Sequence, residues 1–156
     1  PSGPNYVPLS NGGILFISSC SYGGRVSVVT SFDGVCRVMV ADDEPEFRGW
    51  LRSVLNDSGD FRLIGEVSNG TEALELIPSL LPDLLIADMY MPDPDGLEVV
   101  RYVQRHFSGI KAILVSAHEE RVYERLAREE GALAFIPKAK LSLDALRQAL
   151  KGEAAP

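Results

Sequence analysis

The chain is short of most features that mark specialised classes of protein. It has two cysteines in 156 residues, Cys20 and Cys36, too few for the disulfide framework of a small secreted domain and without the CxxC spacing of a metal site. No apolar run approaches the ~18 residues of a membrane-crossing helix. The short run Ile14–Ile17 has no positive residue before it, as a signal core would need. No membrane partner and a cytoplasmic location are therefore expected. Positive charge is scarce as well: 15 Lys and Arg against 22 Asp and Glu give a net charge of −7, which argues against binding of nucleic acid or anionic membrane by this chain itself. Charge of either sign is nearly missing from residues 1–36, which carry only Arg25 and Asp33 and leave 14 basic and 21 acidic residues on 37–156.

What is present reads as one soluble globular domain with a tail. Hydrophobic content of 46% with 24% charged residues fits a domain able to bury a real core. Residues 1–36 hold six of the 14 glycines and many serines, which suits a poorly ordered extension or leader; the alternative is a small hairpin packed on the main domain. Residue 1 is proline rather than methionine, so a processed start is expected. Residues 37–151 form the domain and 152–156 a short tail.

From Arg37 the pattern is regular. A short apolar strand, 38–41, runs into Asp42-Asp43. Pro45 then opens a helix whose apolar stripe is Phe47, Trp50, Leu51, Val54 and Leu55, ended by residues 56–59. Residues 61–67 read as a partly exposed strand. Ser68-Asn69-Gly70-Thr71 caps a helix carrying Ala73, Leu74 and Ile77, which Pro78 is expected to end or kink. Leu84-Leu85-Ile86-Ala87 is an unbroken apolar run ending at Asp88, the habit of a strand buried on both faces. Beyond the loop 89–96 comes a helix with Leu97, Val100, Val103 and Phe107 inward, then a strand, 112–115, ending at Ser116-Ala117. A charged helix over about 119–130 has a thin face of Val122, Leu126 and Ala127. A fifth strand, 133–136, ends at Pro137-Lys138, and Ser142 caps a last helix with Leu143, Leu146 and Leu150 inward.

Five β-α repeats force a parallel sheet with helices on both faces, because the crossovers are right-handed. The fold class expected is α/β, a doubly wound five-stranded sheet of flavodoxin-like order 2-1-3-4-5, with ligands at the switch point between strands 1 and 3. Each strand delivers something to that rim. Strand 1 brings Asp42 and Asp43, strand 3 Asp88, strand 4 Ser116 and strand 5 Lys138. Converging carboxylates repel unless a cation neutralises them, and hard oxygen ligands with room for water suit Mg2+. A lysine and a hydroxyl beside them are what the oxygens of a phosphoryl group require. Taken singly, Asp42-Asp43 would pass for helix N-cap chemistry, Ser116 for a loop residue and Lys138 for a solvated lysine; the inference rests on the set.

These residues resemble the receiver domain of bacterial two-component response regulators, the CheY-like fold. Asp42-Asp43 match the acidic pair, Asp88-Met89-Tyr90-Met91-Pro92 with Asp95-Gly96 the phosphoacceptor loop, Ser116-Ala117 the switch hydroxyl and its small neighbour, and Lys138 the lysine. Asp43-Glu44-Pro45-Glu46-Phe47-Arg48 and Phe135-Ile136-Pro137-Lys138-Ala139 further resemble the subfamily that carries a C-terminal LuxR-type helix-turn-helix. The resemblance implies that Asp88 accepts a phosphoryl group from a histidine kinase, with Mg2+ held by Asp43, Asp88 and the backbone carbonyl of Tyr90, and by Asp42 through water. Lys138 and Ser116 would take phosphate oxygens, and Ser116 with Phe135 would form the switch. The output face would be the fourth helix, fifth strand and fifth helix, through which a homodimer would also form. Such a chain is a signalling phosphoacceptor that promotes its own phosphorylation and dephosphorylation, rather than an enzyme. DNA would be reached only through an effector domain, which is not expected to fit in the residues after Leu150.

Four residues depart from the common pattern. Phe135 stands where many relatives have tyrosine or histidine, and Ala139 replaces a proline, so no cis bond is expected after Lys138. Tyr90 and His118, each two residues beyond a site group, are expected to tune the phosphate lifetime. A haloacid-dehalogenase-type phosphatase is disfavoured, since no carboxylate lies two residues after Asp88 and no cap domain is present. A stand-alone receiver or a pseudo-receiver acting by protein contact stays open beside the receiver of a transcriptional regulator.

Overall fold

Alternation within each strand sets the architecture. In the computed structural model, which describes residues 5–8, 14–17 and 34–152, five strands lie parallel. They are β1 (Cys36–Ala41), β2 (Phe61–Val67), β3 (Leu84–Asp88), β4 (Lys111–Ser116) and β5 (Ala134–Pro137). Their spatial order is β2-β1-β3-β4-β5, the expected 2-1-3-4-5. Between them run α1 (Pro45–Asn56), α2 (Gly70–Leu80), α3 (Gly96–His106) and α4 (Arg121–Glu129), and α5 (Leu143–Lys151) follows a single 3-10 turn at Lys138–Lys140. Among the described residues, no helix is long and apolar enough to cross a membrane.

Successive side chains of a strand point to opposite faces, so the sheet builds two cores. Met39, Ala41, Leu85, Ala87, Ala112 and Leu114 face α2, α3 and α4, where Ala73, Ile77, Val99, Val100, Val103 and Ala127 meet them. Val38, Val40, Leu84, Ile86, Ile113, Val115 and Ile136 face α1 and α5, packing on Leu51, Leu55, Leu146 and Ala149. Each large aliphatic side chain so enclosed contributes about 1.5–3 kcal/mol. All five residues of β3 are buried, as its unbroken apolar run demands.

The chain divides into two units at Val35/Cys36. In the first, Asn5–Pro8 and Ile14–Ile17 pair antiparallel. The rest of the expected poorly ordered extension, with Cys20, lies outside the described residues, as do residues 153–156 of the tail. Cys36 is a free thiol, pushed up to about 11 by burial and then by the charge of Asp83.

Several local expectations need correction. Trp50 is 43% exposed, because the edge of the sheet accepts only Leu51 and Leu55 from α1. Pro78 does not end α2, which runs on to Leu80. It falls in the last turn, where the lost N–H is one hydrogen bond, and the helix stops at Leu81, whose left-handed backbone (φ 44°) lets its N–H reach Ile77 O. In α3 the stripe turns so that Val99 is fully buried while Leu97 and Phe107 are only half-buried. Val122 and Leu133 are exposed. Their neighbours Tyr123 and Ala134 pack inward instead, on opposite faces of the sheet.

Candidate functional site

The parallel register brings the strand ends level. Ala41 pairs with Ala87, Asp88 with Val115, and Ser116 with Pro137. Asp42, Asp88, Ser116 and Lys138 therefore emerge together along one rim, and among the described residues the only buried polar or charged side chains are Asp42, Asp88 and Ser116. Gly96 lets the loop after β3 close tightly: a Cβ there would lie 2.2 Å from Asp88 O. Gly70 does the same from α2, with its N–H donating to Pro92 O at 3.1 Å and no room for a Cβ against Pro94 O.

Oxygens of Asp42, Asp43 and Asp88 lie within 4.8 Å of one another. Asp88 Oδ1 accepts the Tyr90 N–H at 3.1 Å and its Oδ2 accepts from Lys138 Nζ at 3.1 Å. Asp42 Oδ1 accepts the Glu44 N–H at 2.8 Å. Its Oδ2 lies 2.8 Å from Lys138 Nζ as an ion pair, yet has no aligned hydrogen bond although it is buried. Asp42 does not cap α1; the residue at that N-cap is Glu44, whose side chain reaches Lys138 Nζ at 2.9 Å instead. The ammonium also lies over the Phe47 ring, 4.5 Å from its centre.

The electrostatics follow from this crowding. Burial, assisted by the charge of Asp88, pushes the Asp42 carboxyl above its ordinary value, although the neighbouring Lys138 ammonium and the bond from the Glu44 N–H oppose the shift. Burial works against the charge of Lys138, but Asp42 and Glu44 outweigh it and hold the ammonium well above its usual range. Three carboxylates facing one ammonium leave an excess of negative charge. With only hard oxygen donors present and one buried oxygen lacking an aligned hydrogen bond, the site fits a hard divalent cation such as Mg2+.

Ser116 Oγ accepts the His118 N–H at 3.1 Å. No hydrogen bond joins it to Asp88 among those of the described residues, so the hydroxyl stands at the rim but outside the carboxylate cluster. Tyr90, 53% exposed, meets His118 edge-on with ring centres 5.8 Å apart, and Phe135 lies half-buried at the next strand. Three participants escaped the sequence reading. Glu44 had a signal in directly following the acidic pair, Phe47 was assigned to the apolar stripe, and Tyr123 was the one aromatic residue on a thin helical face.

A doubly wound 2-1-3-4-5 sheet with an acidic cluster and a lysine at its switch point defines the receiver class of α/β proteins. Residues 38–151 match the response regulator receiver domain, and the chain belongs to that family, as a receiver domain of a two-component response regulator. It is 38% identical over 102 residues to a Mycobacterium tuberculosis protein named as a probable transcriptional regulatory protein, NarL, covering 65% of this chain and 47% of that one. It is 36% identical over 119 residues to the nitrate/nitrite response regulator protein NarL of Escherichia coli K12, covering 74% and 55%. The solved structure of a LuxR-family DNA-binding response regulator from Staphylococcus aureus superposes with a TM-score of 0.68 at 26% identity, covering 75% and 97%. The chain thus spans about half the length of the curated relatives it matches.

Proposed function

We propose that Asp88 is a phosphoacceptor for a histidine kinase. A carboxylate oxygen of Asp88 attacks the phosphorus of a phosphohistidine; the P–O bond forms as the P–N bond breaks, and the imidazole nitrogen keeps the electron pair. The observation that carries this reading is the single ammonium of Lys138 shared by Asp42, Glu44 and Asp88 at the switch point. Lys138 holds an oxygen of the incoming group and offsets its charge. Asp43, Asp88 and the Tyr90 carbonyl, with Asp42 through water, would hold Mg2+, which supplies electrostatic stabilisation of the transferring phosphoryl oxygens.

Once Asp88 carries phosphate, the Ser116 hydroxyl swings onto a phosphate oxygen and pulls on His118, whose N–H it accepts. Phe135 turns into the space left behind, and the face made of α4, β5 and α5 becomes the output and homodimer surface. Tyr90 and His118 flank the line of approach to phosphorus and set the phosphate lifetime. On this reading the chain acts in the cytoplasm as a signalling component, not as an enzyme on a separate substrate, and contacts DNA only through an effector domain of the kind its NarL relatives suggest.

The test is phosphorylation by acetyl phosphate with Mg2+, read as a mass gain of one phosphoryl group and as a change in Trp50 fluorescence. Asp88→Asn should abolish the mass gain. An unmodified wild-type chain, or phosphate retained by the variant, would overturn the assignment.

A further inference from the structure

Tyr123 joins three segments that the phosphorylation site has to coordinate. Its ring lies 5.6 Å from that of Tyr90 at 88°, 6.2 Å from His118 at 52° and 6.2 Å from Phe135 at 48°. Tyr90 and His118 meet each other edge-on at 83°. Rings from the acceptor loop, the loop after β4 and helix α4 therefore close a triangle, and among the described ring contacts Phe135 joins it through Tyr123 alone. Two corners are tethered to the chemistry by their backbones: the Tyr90 N–H donates to Asp88 Oδ1 and the His118 N–H to Ser116 Oγ.

The third corner has leverage because α4 is weakly seated. Its only fully buried residue is Ala127, and Val122 beside Tyr123 is exposed. Aromatic pairs in edge-on geometry add attraction beyond the area they cover, so Tyr123 supplies a large part of what fixes the first turn of this helix.

We infer that Tyr123 is a positioning residue for the phosphoacceptor site, locking the Tyr90 and His118 rings and tying them to α4 and Phe135. The lifetime of the aspartyl phosphate and the placement of α4 are then set by one residue. This inference rests on the reading of Asp88 as phosphoacceptor.

The experiment loads the whole chain with acetyl phosphate and Mg2+, removes the donor and follows loss of the phosphoryl group. Hydrogen exchange of α4 is recorded with and without beryllofluoride. With Tyr123→Ala, phosphate loss should be about two- to tenfold faster, the loss of its one edge-on ring pair, with Tyr90, expressed as a rate, and the response of α4 to beryllofluoride should disappear. Tyr123→Phe, which keeps the ring, should stay within about twofold of wild type on the same scale. Val122→Ala, an exposed neighbour, serves as the control. Tyr123→Leu carries the same expectation as alanine if the alanine variant does not fold. A Tyr123→Ala lifetime equal to that of Val122→Ala, or a Tyr123→Phe variant as fast as Tyr123→Ala, overturns the inference. Failure of the wild-type chain to load is a different result and sinks the underlying phosphoacceptor reading instead.

Discussion

Asp42→Asn should make the protein more stable, although it removes a charge that has a partner. Asp42 is completely buried, its Oδ2 lacks an aligned hydrogen bond, and Asp88 repels it. A buried carboxylate whose one partner at this oxygen is a poorly aligned ammonium keeps part of the penalty of an unsatisfied group, about 1–3 kcal/mol. Asparagine is nearly isosteric and keeps an oxygen for the Glu44 N–H, while its amide nitrogen faces Lys138 and turns the ammonium toward Glu44 and Asp88. The change does forfeit the ion pair with Lys138, but the ammonium retains Glu44 at 2.9 Å and Asp88 at 3.1 Å. The net gain expected is about 1–2 kcal/mol at neutral pH in EDTA, a rise in Tm of about 4–8 °C for a domain of this size.

The pH dependence has a definite sign. Because the folded pKa of Asp42 is raised above 3.8, the folded chain binds the proton more readily than the unfolded chain. Stability contributed by this group therefore falls as pH rises through that window, and the full cost stands at neutral pH. The advantage of the variant should be greatest at neutral pH and vanish below the ordinary value of 3.8. Urea unfolding across pH, with Mg2+ absent and then added, measures all of this; binding of Mg2+ to the folded wild-type chain should narrow the gap. A variant less stable than wild type at neutral pH, or a gap that persists in acid, would refute the argument.

Three further perturbations test other parts of the structure. Lys138→Met leaves Asp42 and Asp88 without their ammonium and should cost about 3 kcal/mol in urea unfolding at neutral pH, partly restored by Mg2+. Gly70→Ala would place a Cβ 1.9 Å from Pro94 O, so the loop after β3 must shift; a loss of about 1–3 kcal/mol and weaker Mg2+ binding by Trp50 fluorescence are expected. Leu81→Gly relieves a left-handed backbone at φ 44° on an exposed residue and should raise stability by about 1 kcal/mol, read as a higher urea midpoint with unchanged slope.

The strands were legible because their patterns were extreme. Leu84–Asp88 is apolar without interruption, and only a strand covered on both faces uses such a run. The helices were less so. The stripe of α1 allowed Phe47, Trp50 and Val54 to be core, but the sheet is finite in width and only Leu51 and Leu55 reach full burial. Pro78 looked like a terminator, yet tertiary contacts place it in a last turn that tolerates one missing hydrogen bond. Residues such as Glu44 and Tyr123 gain their meaning from partners 94 residues away at Lys138 and 33 residues away at Tyr90, distances over which no local periodicity carries information.

By itself, then, the order of β-α repeats determined the parallel sheet and its switch point, and the residue ending each strand determined which groups stand at the rim. Both follow from local rules: side chains alternate along strands, crossovers are right-handed, and a strand's last residue lies at its carboxyl end. The tertiary structure alone decided how those groups share their charges. It placed Lys138 among Asp42, Glu44 and Asp88, left Asp42 Oδ2 without an aligned partner, and drew Tyr90, His118, Tyr123 and Phe135 into one chain of rings. Burial and neighbouring charge are properties of three-dimensional packing, and they are what turn a set of strand-end residues into a site.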